Sequence, residues 1–164
     1  MANFSFDIVS EVNFQEVDNA VNQAKKELSQ RYDFRGSKSS LDYDPKDKKI
    51  ILIADDDFKL RALQDILVTR LAKRGISHKS VAFKNAEAAF GGALRQTIEI
   101  TSGIPKEKAK DLNKIIKDLN LKTQTQIEGD RIRVFSPKKD ELQMVIAHLR
   151  SIDFSLPLDF TNYR

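Results

Sequence analysis

The chain predicts an α+β protein of two tandem βαββαβ units, each a four-stranded antiparallel sheet with two helices on one face. Three observations carry that prediction. Four apolar stripes recur at helical spacing, short alternating or isoleucine-rich runs lie between them, and the order of elements repeats once along the 164 residues.

In chain order, Phe6 and Ile8 alternate with polar neighbours and mark a first strand. Val17, Ala20, Val21, Ala24 and Leu28 then form the apolar stripe of a helix. Residues 33–43 are an extended, polar-rich run, and Asp44-Pro45-Lys46-Asp47 turns the chain into the isoleucine-rich strand Lys49–Ala54. Asp55-Asp56-Asp57 supplies capping carboxylates for a helix striped by Leu60, Leu63, Ile66, Leu67 and Leu71, which Gly75 stops. A short strand follows around Ile76–Phe83. Lys84–Gly92, with its alanines and paired glycines, is the join.

The pattern then repeats. Leu94, Ile98 and Ile100 mark a strand, and Pro105 introduces a helix striped by Leu112, Ile115, Ile116 and Leu119. Leu121–Ile127 and Arg131–Phe135 flank the hairpin signal Glu128-Gly129-Asp130. After Lys138-Lys139-Asp140, with Asp140 placed to cap, comes the stripe Leu142, Val145, Ile146 and Leu149, and Leu158–Phe160 offers a last strand. This is the element order of ferredoxin-like and RRM-like folds. We expect units at residues 1–90 and 91–164. A plain tandem and an exchange in which the first strand joins the second unit both fit the pattern.

Composition narrows the function. No run of about 18 apolar residues suggests a membrane span, and the N-terminus does not read as a secretory signal. Zero cysteines exclude disulfides, thiolate metal sites and a cysteine nucleophile, and fit a cytoplasmic protein. His78 and His148 form no metal-ligand pair, and Gly91-Gly92 lacks the residues of a phosphate loop, so no metal and no cofactor are expected. The net charge is +4, with +1 in residues 1–83 (14 basic, 13 acidic) and +3 in residues 84–164 (14 basic, 11 acidic). A basic second half suits a phosphate-bearing partner.

These residues resemble the YajQ family of bacterial nucleotide-binding proteins. The similarity runs through Phe6-Asp7-Ile8-Val9-Ser10-Glu11-Val12, Tyr32-Asp33-Phe34-Arg35-Gly36, Leu63-Gln64-Asp65-Ile66-Leu67 and Lys73-Arg74-Gly75-Ile76. It continues through Ile115-Ile116-Lys117-Asp118, Leu121-Lys122 and Gln126–Val134, covering nearly the whole chain in order. The resemblance implies tandem RRM-like domains, a cytosolic location and nucleotide binding, with members linked to RNA and to cyclic dinucleotides and no reaction attributed to them. Ser136-Pro137 stands where the family usually shows a glycine–lysine pair, and the proline removes a backbone N–H there.

Alternation assigns the binding residues. With Leu121, Thr123, Thr125 and Ile127 facing the helices, Lys122, Gln124 and Gln126 face outward. By the same parity Arg131 and Arg133 face outward from the next strand, and Arg95 from the strand at 94–100. These residues predict one exposed cationic sheet face, with guanidinium forks for phosphate and amides for base edges. Arg35 and Lys38 form a second candidate beside Phe34, which is either a stacking ring or core. Phe135 is the one aromatic on the strands where an RRM stacks bases, so RNA contact would be weak and salt-sensitive. The expected function is therefore non-enzymatic binding of a nucleotide, a cyclic dinucleotide or RNA, on that face or in an interdomain cleft. The alternative is a regulatory protein–protein adaptor using the sheet face or edge.

Overall fold

A computed structural model describes residues 3–164. The strands are β1 (Phe4–Val9), β2 (Ser40–Asp44), β3 (Lys49–Ala54), β4 (Val81–Phe83), β5 (Glu87–Ala88), β6 (Leu94–Ile100), β7 (Gln124–Glu128), β8 (Arg131–Ser136) and β9 (Asp159–Thr161). The helices are α1 (Phe14–Gln30), α2 (Asp57–Lys73), α3 (Lys106–Lys117) and α4 (Lys139–Ser151). The predicted class and element order hold: two antiparallel sheets, each with two helices.

Strand exchange is the main finding at this level. One sheet has the order β7-β8-β1-β9 and the other β2-β3-β6-β4, with β5 also paired to β6. Both are ferredoxin-like orders, but β6 fills the central place in the sheet of the first-half helices, and β1 fills it in the other. The compact units are accordingly Val12–Thr101, and the chain up to Glu11 together with Ser102–Arg164. They do not divide at residue 90. The short link 84–93 lets β6 fold back beside β4 at small loop-closure cost.

The 12–101 unit packs its sheet against α1 and α2 through Val17, Val21, Leu63, Leu67, Leu52 and Ile98. Asn13 caps α1 by accepting from the Gln15 N–H at 3.0 Å, and Asp56 caps α2 by accepting from the Lys59 N–H at 2.7 Å. Phe34 lies in this core, and the expected extended run opens instead with a 3-10 turn at Tyr32–Phe34. Gln96 also points inward; its side chain accepts from Gln64 at 2.6 Å and donates to the Lys84 carbonyl at 2.8 Å, so its polar atoms are satisfied.

The other unit packs Phe6, Ile8, Ile132 and Val134 against Leu112, Ile116, Val145 and Leu149. Pro105 begins α3 as predicted. The start of α4 differs from expectation. Asp140 caps nothing there; instead the Ser136 hydroxyl accepts from the Lys138 N–H and donates to Glu141 Oε2, both at 3.1 Å.

Candidate functional site

On the open face of the β7-β8-β1-β9 sheet, alternation places the side chains as predicted. Ile132 and Val134 are fully buried toward the helices, and Arg131 and Arg133 project from the other side of β8. The same alternation, between Phe6 and Ile8, puts Asp7 on the open face of β1 directly opposite Arg133.

Asp7 changes the chemistry of that face. Its side chain is only 1% exposed, and it accepts from Arg133 Nε at 2.9 Å and Arg131 Nη1 at 3.3 Å. Arg131 also reaches Glu11 at 3.1 Å, and Arg133 lies 3.4 Å from Glu128. Two guanidiniums thus face three carboxylates. Burial pushes the Asp7 carboxyl up, but hydrogen bonds from Arg133, Asn162 and Arg131, with the Arg133 charge, hold it below its ordinary value. The Arg133 guanidinium is correspondingly raised, chiefly by its hydrogen bond to Asp7. The expectation of free outward cations fails at these two positions. A carboxylate between the inward Phe6 and Ile8 of a strand placed for a sheet centre was the available signal for it.

The third bond to Asp7 comes from the far edge. Thr161 pairs with Asp7, whereas Arg164 exchanges backbone hydrogen bonds of 3.1 and 2.9 Å with Ser5. Three residues there span two on β1, so the segment carries a bulge, and Asn162 sits in it at φ +55°. The bulge aims the Asn162 amide nitrogen at Asp7 Oδ2, 3.0 Å away.

The remaining predicted residues separate. Arg95 is on β6, in register with Ile53 of β3 and Glu87 of β5, so strand exchange removes it from the sheet that holds Arg131 and Arg133. Arg35 and Lys38 also belong to the 12–101 unit. Arg35 is exposed and lies over the Tyr32 ring at 5.7 Å, while Phe34 is core rather than a stacking platform. The Lys38 N–H donates to Asp55 at 3.2 Å, tying this turn to the start of α2.

Lys122 and Gln124 do come together, at the opposite end of β8 from the arginine cluster. With Asn3, Thr123, Phe135, Ser136 and Pro137 they line a cleft of about 320 Å³. Phe135 stands opposite Gln124 in the ladder and is half-buried. The Lys122 ammonium has no ion pair among the described residues, and its backbone N–H donates to Glu141 at 3.1 Å. Lys138 and Lys139, both exposed, follow Pro137 directly. Gln126 is exposed beside Arg133 in register, nearer the neutralised cluster. The geometry offers a ring face, an amide and an unpaired ammonium in one place.

Residues 4–164 match the model of the family described as nucleotide-binding protein YajQ-like. The chain belongs to that family. Among its relatives are nucleotide-binding proteins of Endomicrobium trichonymphae, 59% identical over 98% of both chains, and of Carboxydothermus hydrogenoformans, 51% identical over 99% of both. A third, from Elusimicrobium minutum, is 47% identical over the full length of each. Among the described residues of this family member, no His, Asp and Glu side chains gather in a group able to hold a metal ion. No helix among the described residues is long and apolar enough to cross a membrane.

Proposed function

We propose that the protein binds a nucleotide, without catalysing a reaction on it, at the Lys122–Gln124–Phe135 corner of its β7-β8-β1-β9 sheet, and that it does so in the cytoplasm. One observation supports the placement: Phe135 lines the same cleft as Lys122, whose ammonium has no ion pair among the described residues, whereas the arginines of the same strand are held by Asp7, Glu11 and Glu128. A base stacked on Phe135 gains about 1–3 kcal/mol. Gln124 can hydrogen-bond the base edge, and Lys122 can meet the phosphate. The relatives' names state nucleotide binding of those proteins and no reaction, which supports a binding role here. The small cleft suits one nucleotide unit, free or as the first unit of a cyclic dinucleotide or a single-stranded RNA.

Calorimetry with mononucleotides, cyclic dinucleotides and a short single-stranded RNA tests the reading, comparing the wild type with Phe135→Ala and Lys122→Glu. The ligand that binds best should lose at least tenfold in affinity with either variant, and should weaken as salt rises. Undiminished affinity in both variants would remove this corner from the argument.

A second reading, docking of a partner chain, is favoured by β7 being an edge strand that exposes Gln124 and Gln126. Partner binding insensitive to salt would select it.

A further inference from the structure

On the helix side of β7, away from the open face, α3 and the edge strand leave a second cleft, of about 470 Å³. We infer that it binds a small organic anion: an apolar body carrying an N–H or O–H donor at one end and a phosphate or carboxylate at the other. The inference does not rest on nucleotide binding at the Phe135 corner.

The lining dictates this chemistry. Lys114 and Lys117 stand three apart on α3, so both edge the same side of the cleft. Neither has an ion pair among the described residues, and no lining residue is acidic. Two ammonium groups on one rim with no carboxylate between them call for an anion. Below them Ile116 and Leu121 supply apolar wall, which suits an uncharged body.

The donor requirement comes from Asn113. Its Oδ1 is buried and accepts no hydrogen bond in the structure. A buried carbonyl oxygen without a donor is costly, so a turn of the Asn113 side chain that brings Oδ1 into the cleft is rewarded by a ligand that carries a donor. Thr123 and Thr125 line the strand side, on the parity opposite to Lys122 and Gln124, and their hydroxyls can donate or accept. The cleft stays open because β7 has no further strand beyond it.

A matched set of probes separates these features: 4-aminophenyl phosphate, 4-aminobenzoate, phenyl phosphate without the donor, and aniline without the anion. Two-dimensional amide NMR of the full chain locates binding by shifts at residues 113–117 and 121–125. We expect 4-aminophenyl phosphate or 4-aminobenzoate to move these signals and to bind at least fivefold tighter than phenyl phosphate, with aniline inert. The arm that binds more tightly decides between phosphate and carboxylate. Asn113→Leu should abolish the preference for the amino group, and Lys114→Glu with Lys117→Glu should abolish binding, while both variants keep dispersed wild-type-like spectra elsewhere. Equal binding of phenyl phosphate would show a cleft satisfied by water, and would overturn the inference. So would shifts confined to the Phe135 corner, or no shifts with any probe at millimolar concentration.

Discussion

Asp7 and Arg133 stand opposite each other on neighbouring central strands and share a 2.9 Å hydrogen bond, with the carboxylate sealed from solvent. The pair fixes the register of β1 against β8 and makes Asp7 a structural acid. Its carboxyl is held below the ordinary value of 3.8, so its contribution to stability is complete above that pH and is lost as pH falls through the folded-state value. Asp7→Asn should cost about 1–3 kcal/mol at pH 7. Urea titrations should show the wild-type advantage shrinking only below pH 3.8; an advantage that vanishes nearer neutrality would contradict this assignment.

Charge reversal on β8 should unmake the fold before it reports on a ligand. Arg131→Glu with Arg133→Glu leaves the buried Asp7 with only Asn162 and adds two negative charges beside Glu11 and Glu128. The expected loss is about 3–5 kcal/mol, read as a fall in the urea midpoint. A double variant as stable as the wild type would show that these ion pairs hold nothing together.

Gly103 has no room for a side chain. Its φ is +90°, and an added Cβ would lie 2.6 Å from Asp130 Oδ2 and 2.8 Å from the Asp130 Cβ. The segment is pinned by the Gly103 N–H donating to the Ser10 carbonyl and the Ile104 N–H to the Asp130 carbonyl, at 2.7 and 2.8 Å. Gly103→Ala should therefore destabilise by about 1–3 kcal/mol. Adding Asp130→Gly should restore part of the loss, since it removes the clash and leaves the backbone strain. Thermal melts of the single and double variants read the difference.

Phe34 and Tyr32, two positions apart in the same turn, should behave oppositely. Phe34 is 6% exposed and Tyr32 is 82% exposed. Phe34→Ala should cost about 3–5 kcal/mol by emptying core volume, and Tyr32→Ala less than about 0.5 kcal/mol. Chemical denaturation of both variants tests whether the Tyr32–Gly36 motif is there for packing at its middle aromatic.

Local pattern determined much of this molecule. The stripes such as Leu60, Leu63, Ile66, Leu67 and Leu71 are buried as their spacing implies, because helical period and apolar burial are properties of adjacent residues. The inward Ile132 and Val134 and the outward Arg131 and Arg133 followed from the pleat in the same way. Two things needed the tertiary structure. β1 and β6 are both alternating strands suited to a sheet centre, and the short 84–93 link permits exchange without requiring it, so alternation did not say which sheet each would join; the pairing decided it, and with it that Arg95 leaves the arginine cluster. The state of that cluster was equally non-local, since Asp7 meets Arg131 and Arg133 across 124 and 126 positions of chain. A charge counted in sequence attracts an anion only if folding does not pair it with a carboxylate first, and among the described residues the Lys122 ammonium has no ion pair, Glu141 meeting its backbone N–H instead.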